Sequence, residues 1–374
     1  MPGSTYIFAG GATGGHLYPA IAVADELKKY QPDAHLIFIC SNHDIDRYIL
    51  SSRSYAYIPQ PIRPLPQKIA EVPGFIRCLL SSLRLCKQIV RDIKPVAVIG
   101  TGGYVSVPMI LSAARGGIRS GLINIDAVVG RANKFLAKKV EVTFVQFDST
   151  ANLLNGATEV IKVGCPIRQE LLKGDANEAR RLWGLSDQRK TLLIMAGSLG
   201  AININRAVAA IADDLDKLAD DWQILHICGH GKLDELAGKV SRIRYVVMEY
   251  CHQISHAYAV SDLVLARAGA STIGELSAIG LPAVLMPYPY HSDRQQYLNA
   301  EEMVRRGAAI VVDDTSDVQS NAEALRGSLL EIMRNPSRLE AMSQAAKGGV
   351  TGDAAEKIAR WMLGWNKDEL VAGG

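Results

Sequence analysis

Residues 10–20 read GGATGGHLYPA and follow directly on the apolar run TYIFA. Glycines let a backbone approach a ligand closely, and free N–H groups at a helix start favour a phosphate. A histidine at the loop–helix junction can titrate near neutral pH. Together these residue types suit a sugar–nucleotide diphosphate with a base beside it. No Gly-Lys-Ser/Thr follows, so this is not a P-loop, and the spacing departs from G-x-G-x-x-G. No acidic residue ends the second strand, where IFICSNHD would need one for the ribose of a dinucleotide. Two more glycine-rich strand ends, IGTGGYVSVP at 99–108 and AGSLGA at 196–201, repeat the arrangement. A tight turn without a ligand is the alternative for any one of these loops, and their recurrence argues against it.

A second constellation spans residues 266–303, ARAGASTIGELSAIGLPAVLMPYPYHSDRQQYLNAEEM. Ser271 and Thr272 place hydroxyls at a helix start, and Glu275 lies about one turn inside, within reach of a ribose diol. After the next strand, Gln295, Gln296 and Asn299 fall at the start of another helix. Neutral amides both donate to and accept from sugar hydroxyls, which charged side chains cannot do. The alternative for such amides is a solvated helix surface. His226, Cys228, His230, Cys251, His252 and His256 show neither C-x-x-C nor H-E-x-x-H spacing, so no metal centre is expected. The D-x-D at 44–46 is read as a polar surface loop.

The elements that must position these groups alternate along the whole chain. TYIFAG, AHLIFIC and VAVIGTGG read as buried strands, and LYPAIAVADELKKY as a helix with Pro19 near its first turn. A second series runs through TLLIMAGSLGAININ, WQILHIC, IRYVVME, DLVLARAG, PAVLMPY and AAIVVDD. Alternation of this kind predicts an α/β fold of two facing, Rossmann-like, doubly wound parallel-sheet domains. VGCPIRQELL, with Gly164 and Pro166, suits a hinge, giving domains over 1–163 and 164–351; the helical stretch within 352–370 could pack back on the first. The 374 residues are 48% hydrophobic and 21% charged, with a net charge of +3, which excludes a disordered chain and argues against a nucleic-acid partner. No run approaches a membrane span, no signal peptide is evident, and unpaired cysteine spacing fits reduced thiols in a cytosol.

In order along the chain, GGATGGHLYPA, GTGGYVSVP, NKFLAKKV, VGCPIRQE, GSLGAININ and the 267–300 stretch resemble the MurG family of GT-B glycosyltransferases. The resemblance implies inverting transfer of N-acetylglucosamine from UDP-N-acetylglucosamine to the 4-hydroxyl of a lipid-linked muramyl-pentapeptide, in peptidoglycan synthesis. It implies no cofactor and no metal. Ser198 and the segment Ala270, Ser271, Thr272, Ile273, Gly274 and Glu275 would meet the diphosphate and ribose. The backbone at Cys251 would hold the uracil, Arg168 would lie near the hinge end of the donor, and Gln295 with Gln296 or Asn299 would read the sugar. Thr13, Gly14 and Gly15 would face a diphosphate from the other domain, with His16 as the base. The chain departs from the family where His-Glu-Gln-Asn is usual: Ile123, Asn124, Ile125 and Asp126 stand there. Asp126 is therefore a second candidate base or donor contact. The departure leaves open a GT-B enzyme with a different lipid or metabolite acceptor; a non-catalytic nucleotide-sugar-binding protein is the remaining alternative.

Residues 73–95 carry Phe75, Ile76, Leu79, Leu80, Leu83 and Val90 with Arg77, Arg84, Lys87, Arg91 and Lys94 recurring beside them. An apolar stripe with basic flanks suits a helix lying on an anionic membrane, and an ordinary helix covering the sheet is the alternative. With the resemblance, this places the protein at the cytoplasmic face of the cell membrane as a peripheral protein.

Overall fold

The computed structural model describes residues 3–195, 201–233, 242–290, 293–347, 352–366 and 369–370. The β-branched runs form strands that pair in parallel, in two separate sheets. The first contains β1 (Thr5–Ala9), β2 (His35–Cys40), β3 (Ala56–Pro59), β4 (Ala97–Gly100), β5 (Arg119–Asn124), β6 (Val142–Val145) and β7 (Val160–Lys162) in the order β3-β2-β1-β4-β5-β6-β7. The second contains β8 (Lys190–Met195), β9 (Trp222–Ile227), β10 (Arg244–Met248), β11 (Leu263–Ala266), β12 (Ala283–Leu285) and β13 (Ala309–Val311) in the order β10-β9-β8-β11-β12-β13. In each sheet the order reverses once, between β1 and β4 and between β8 and β11. Ligands of open α/β sheets bind at such switch points, beyond the carboxyl ends of the strands.

The chain forms two compact units, Met1–Arg168 with Gly352–Gly374, and Gln169–Thr351. Each has its own core. Ile7, Ile39, Val98 and Leu122 of the first sheet pack with Met109, Ile110 and Leu136. Leu192, Ile224, Leu265 and Val284 of the second pack with Ile204, Val208, Leu325 and Leu329. The helix Ala354–Met362 joins the first unit. Trp361 sits edge-on to Phe144 and under the Arg119 guanidinium, 4.3 Å from the ring centroid. Gly121 makes room for that indole, because a Cβ there would stand 3.2 Å from its ring carbons.

Three local expectations need correction. The first helix spans Gly14–Tyr30, so Pro19 lies inside it and not near the first turn, and the Gly15 carbonyl receives no N–H from its usual partner. Asp46 is not in a surface loop: Asp44–Ser52 is a helix, and Asp46 is 0% exposed. The apolar stripe of the helix Val72–Ile93 is not exposed along its whole length. Val90 is buried in the core with Cys86 and Ile89, whereas Ile76 and Leu80 stay at the surface.

Candidate functional site

In the first unit the site grows out of the β1–β4 switch point. The loop Gly10–Thr13 leaves β1 and the helix Gly14–Tyr30 begins at once; Gly102 leaves β4 and the helix Gly103–Arg115 begins. Neither helix has a side-chain cap on its first N–H groups, which leaves those donors directed outward at adjacent strand ends. The glycines serve two separate ends. Gly10 and Gly11 are buried, and a Cβ on them would collide with Thr101 Oγ1 and Asp46 Oδ2 respectively. Gly15 is exposed, with only Thr13 Oγ1 within 4 Å of where its Cβ would stand. The inner pair therefore packs the loop, and the outer residues Thr13 and Gly15 face solvent where a ligand can reach them.

His16 bridges the switch point. Its Nδ1 lies 2.9 Å from the Thr101 carbonyl oxygen. A carbonyl can only accept, so Nδ1 carries the proton and, in the neutral ring, Nε2 keeps its lone pair. That edge of the ring faces Gly103, whose Cβ would stand 3.4 Å from Nε2. Asn133 lines the same place, since a Cβ on Gly102 would meet Asn133 Nδ2 at 3.2 Å and His16 Cε1 at 3.4 Å. Asn133 Nδ2 donates to Asn124 Oδ1 at 2.9 Å, and Asn124 Nδ2 donates to the Asp126 carbonyl at 2.7 Å. The altered 123–126 segment is thus tied by buried amides to the His16 loop. Arg168 stacks on Tyr18, 4.5 Å from the ring centroid, on the same helix as His16.

In the second unit the candidates gather around β11 and its neighbours. The helix Ala270–Ile279 starts after Gly269 with no side-chain cap. Ala270, Ile273 and Gly274 are buried there, and Ser271, Thr272 and Glu275 are half-buried. Glu275 accepts a 2.6 Å bond from the Tyr258 hydroxyl, on the helix Ile254–Ala259 that follows Cys251. Cys251 is buried, and burial pushes its thiol pKa up, so it is no ready thiolate. The amides at 295–299 divide by their hydrogen-bond partners. Asn299 is fully buried and donates to the Ala268 carbonyl, and Gln296 accepts from the Tyr288 N–H at 2.8 Å, bracing the strand end. Gln295 is half-buried at the helix start, and no hydrogen bond engages its side chain among the described residues. Ser198 lies outside the described residues.

Several further groups carry no local signature in the sequence. Arg267 donates to the carbonyls of Met286 at 2.8 Å and Pro287 at 3.2 Å, and approaches the fully buried Asp314 at 2.6 Å, an ionic contact that knits the ends of β11, β12 and β13 together. Thr101, Asn133 and Tyr258 are likewise marked in the sequence only as polar types inside glycine-rich or alternating segments. His226 is no metal ligand. Its Nε2 donates to Asn205 Oδ1 and its Nδ1 accepts from the Tyr245 hydroxyl, and burial depresses its pKa to about 3. Among the described residues no group of three metal-ligating side chains exists.

Two parallel, doubly wound sheets with uncapped, glycine-lined helix starts beside their switch points fit the GT-B class of protein. Residues 6–145 match the glycosyltransferase family 28 N-terminal domain, and residues 191–358 the glycosyltransferase family 28 C-terminal domain. The chain is 32% identical over 355 residues to the UDP-N-acetylglucosamine--N-acetylmuramyl-(pentapeptide) pyrophosphoryl-undecaprenol N-acetylglucosamine transferase of Bacillus subtilis (strain 168), covering 94% of this chain and 96% of that one. The same-named protein of Caldanaerobacter subterraneus is 30% identical over 360 residues, covering 94% and 97%. A crystal structure of Acinetobacter baumannii MurG shares the fold at TM-score 0.75 and 23% identity, over 97% of this chain and 100% of that one. So does a UDP-GlcNAc 2-epimerase from Neisseria meningitidis, solved bound to UDP-GlcNAc, at TM-score 0.67 and 16% identity, over 96% and 99%. The chain belongs to glycosyltransferase family 28, among the UDP-N-acetylglucosamine-dependent transferases of that name.

Proposed function

We propose that the protein transfers N-acetylglucosamine from UDP-N-acetylglucosamine to the 4-hydroxyl of the lipid-linked muramyl-pentapeptide, with inversion and without a metal ion. The observation that carries the substrate pair is the likeness to transferases of that name along nearly the full length of both chains. The site residues then take roles their chemistry suits. The uncapped start of the helix Ala270–Ile279 offers N–H groups and a dipole to the diphosphate, and so stabilises charge as UDP leaves. Glu275, held by Tyr258, takes the ribose hydroxyls, the backbone at Cys251 the uracil, and Gln295 the sugar. His16, with Nε2 unprotonated, removes the proton of the attacking hydroxyl. Thr13, Gly14 and Gly15 present the start of their helix to a diphosphate.

A lipid-linked acceptor calls for a foothold on the membrane at its cytoplasmic face. Leu65, Ile69, Ile76 and Leu80 are exposed apolar side chains on and just before the helix Val72–Ile93, with Arg63, Lys68, Arg77 and Arg84 exposed among them. That composition suits an anionic bilayer surface. Among the described residues no helix is long and apolar enough to cross a membrane.

The test is turnover of the purified protein with UDP-N-acetylglucosamine and the lipid-linked acceptor in detergent, with and without a chelator. Release of UDP coupled to a disaccharide product, unchanged by the chelator, is expected. His16→Ala should lower kcat by about 10²–10⁴, the usual contribution of a positioned base. Absence of transfer to this acceptor, or near-normal turnover in His16→Ala beside a dead Asp126→Ala, overturns the respective assignment.

A further inference from the structure

We propose that Asp46 is a positioning residue for the transfer: a buried carboxylate that holds the loop before His16 and so sets where Nε2 is presented. The inference rests on the reading of His16 as the base. Both Asp46 oxygens stand 2.9 Å from the Ala12 N–H, and Oδ2 also accepts from Ser41 N at 3.0 Å and Ser41 Oγ at 2.6 Å. Ser41 Oγ in turn accepts from His43 N at 3.2 Å. One carboxylate thereby joins the loops that leave β1 and β2.

The loop it holds does not hold itself. Ala12 sits at φ 69°, a left-handed conformation that alanine adopts only when its surroundings impose it. Gly11, at φ 151°, is bare because a Cβ would collide with Asp46 Oδ2. Thr13, the next residue, makes no side-chain cap, so its side chain does not tie the loop to the first helical turn. His16 N bonds back to the Thr13 carbonyl at 3.2 Å, which carries any shift of the loop straight to the histidine. An acceptor-only group is required at 46. An amide there would turn an N–H toward either Ala12 or Ser41, and a donor would face a donor.

Asp46→Asn, made in the full chain, tests this with kcat, the KM for UDP-N-acetylglucosamine, UDP affinity by calorimetry and the thermal midpoint. The expected result is a fall in kcat of at least about tenfold, with donor KM and UDP affinity within about twofold of the parent. Adding Ala12→Gly should recover part of the lost kcat, because glycine reaches the left-handed conformation without the missing carboxylate. A merely structural role would lower stability and UDP affinity together and would gain nothing from Ala12→Gly; that pattern, or an unchanged kcat, overturns the proposal. Should Asp46→Asn not fold, Ser41→Ala removes the 2.6 Å bond to Asp46 together with the acceptor of His43 N, while leaving the carboxylate and its bonds to Ala12 N and Ser41 N in place, and should show a smaller version of the same split, an unchanged kcat again overturning the proposal. His16→Ala measured alongside separates the two readings. If it keeps turnover, the base assignment falls and this proposal with it; if it is inactive while Asp46→Asn is fully active, this proposal alone falls.

Discussion

The Nε2 edge of His16 rests against Gly103, at the first residue of the helix that follows β4. Gly103 has φ 70°, and a methyl group on it would stand 3.4 Å from Nε2, where the substrate hydroxyl would approach the proposed base. Gly103→Ala therefore combines backbone strain with obstruction of the proposed base. Turnover should drop by more than tenfold while UDP affinity, read by calorimetry, stays near the parent value. Normal turnover in this variant would show that the hydroxyl approaches the ring from another side.

Burial of His226 gives a pH prediction. Its folded pKa, near 3, lies below the unfolded value near 6.5, so the unfolded chain binds the proton first as pH falls. Stability is then fully present above pH about 6.5 and is lost progressively on acidification toward pH about 3. His226→Gln should flatten this loss, on the order of a few kcal/mol, in urea titrations between pH 4 and 7, at the cost of lower stability at neutral pH. An unchanged pH slope would refute the assignment.

Removing Asp314 strands Arg267. The Asp314 side chain is fully buried and also accepts from Asn203 and Asn321. Breaking a buried pair from one side costs about 3–5 kcal/mol, and Asp314→Ala should lose about that much in denaturant unfolding. It should also weaken UDP binding, since Arg267 holds the carbonyls at the end of β12. A variant that binds UDP normally would confine the pair to a stability role.

The exposed apolar group offers a fourth test. Ile69 is 91% exposed and Leu80 47% exposed, so exchanging both for serine removes no core packing. Sedimentation with anionic vesicles should weaken several-fold, with the thermal midpoint unchanged. Equal vesicle binding by the variant would place the foothold elsewhere.

Local pattern carried the reading of the strands with glycine-rich ends, because a parallel strand buried on both faces is a continuous apolar run followed by bare residues. β3, β5, β6 and β7 were not singled out; β3 and β7 lie at the two edges of their sheet, and their runs are short. The candidate site was legible where its proposed residues sit on one loop, as at Thr13–His16 and Ala270–Glu275. It was not legible where tertiary contacts decide. Asp46 meets Ala12 across 34 positions, and His16 meets Thr101 across 85. The three amides of the 295–305 helix look equivalent by type, and only their folded partners separate Asn299 and Gln296, which brace backbone groups, from Gln295. Val90 falls on the same stripe as Ile76 and Leu80, and only the packing of the last turns of its helix into the first core buries it.

The docking of Trp361 against Phe144 and Arg119 makes the first unit discontinuous in the chain. During synthesis its sheet can assemble early, yet its last packing element leaves the ribosome only after the whole of Gln169–Thr351 has emerged. Until then Gly121 and its neighbours present an unfilled indole-sized recess, and a nascent chain halted before Ala354 would expose that apolar surface to chaperones and proteases.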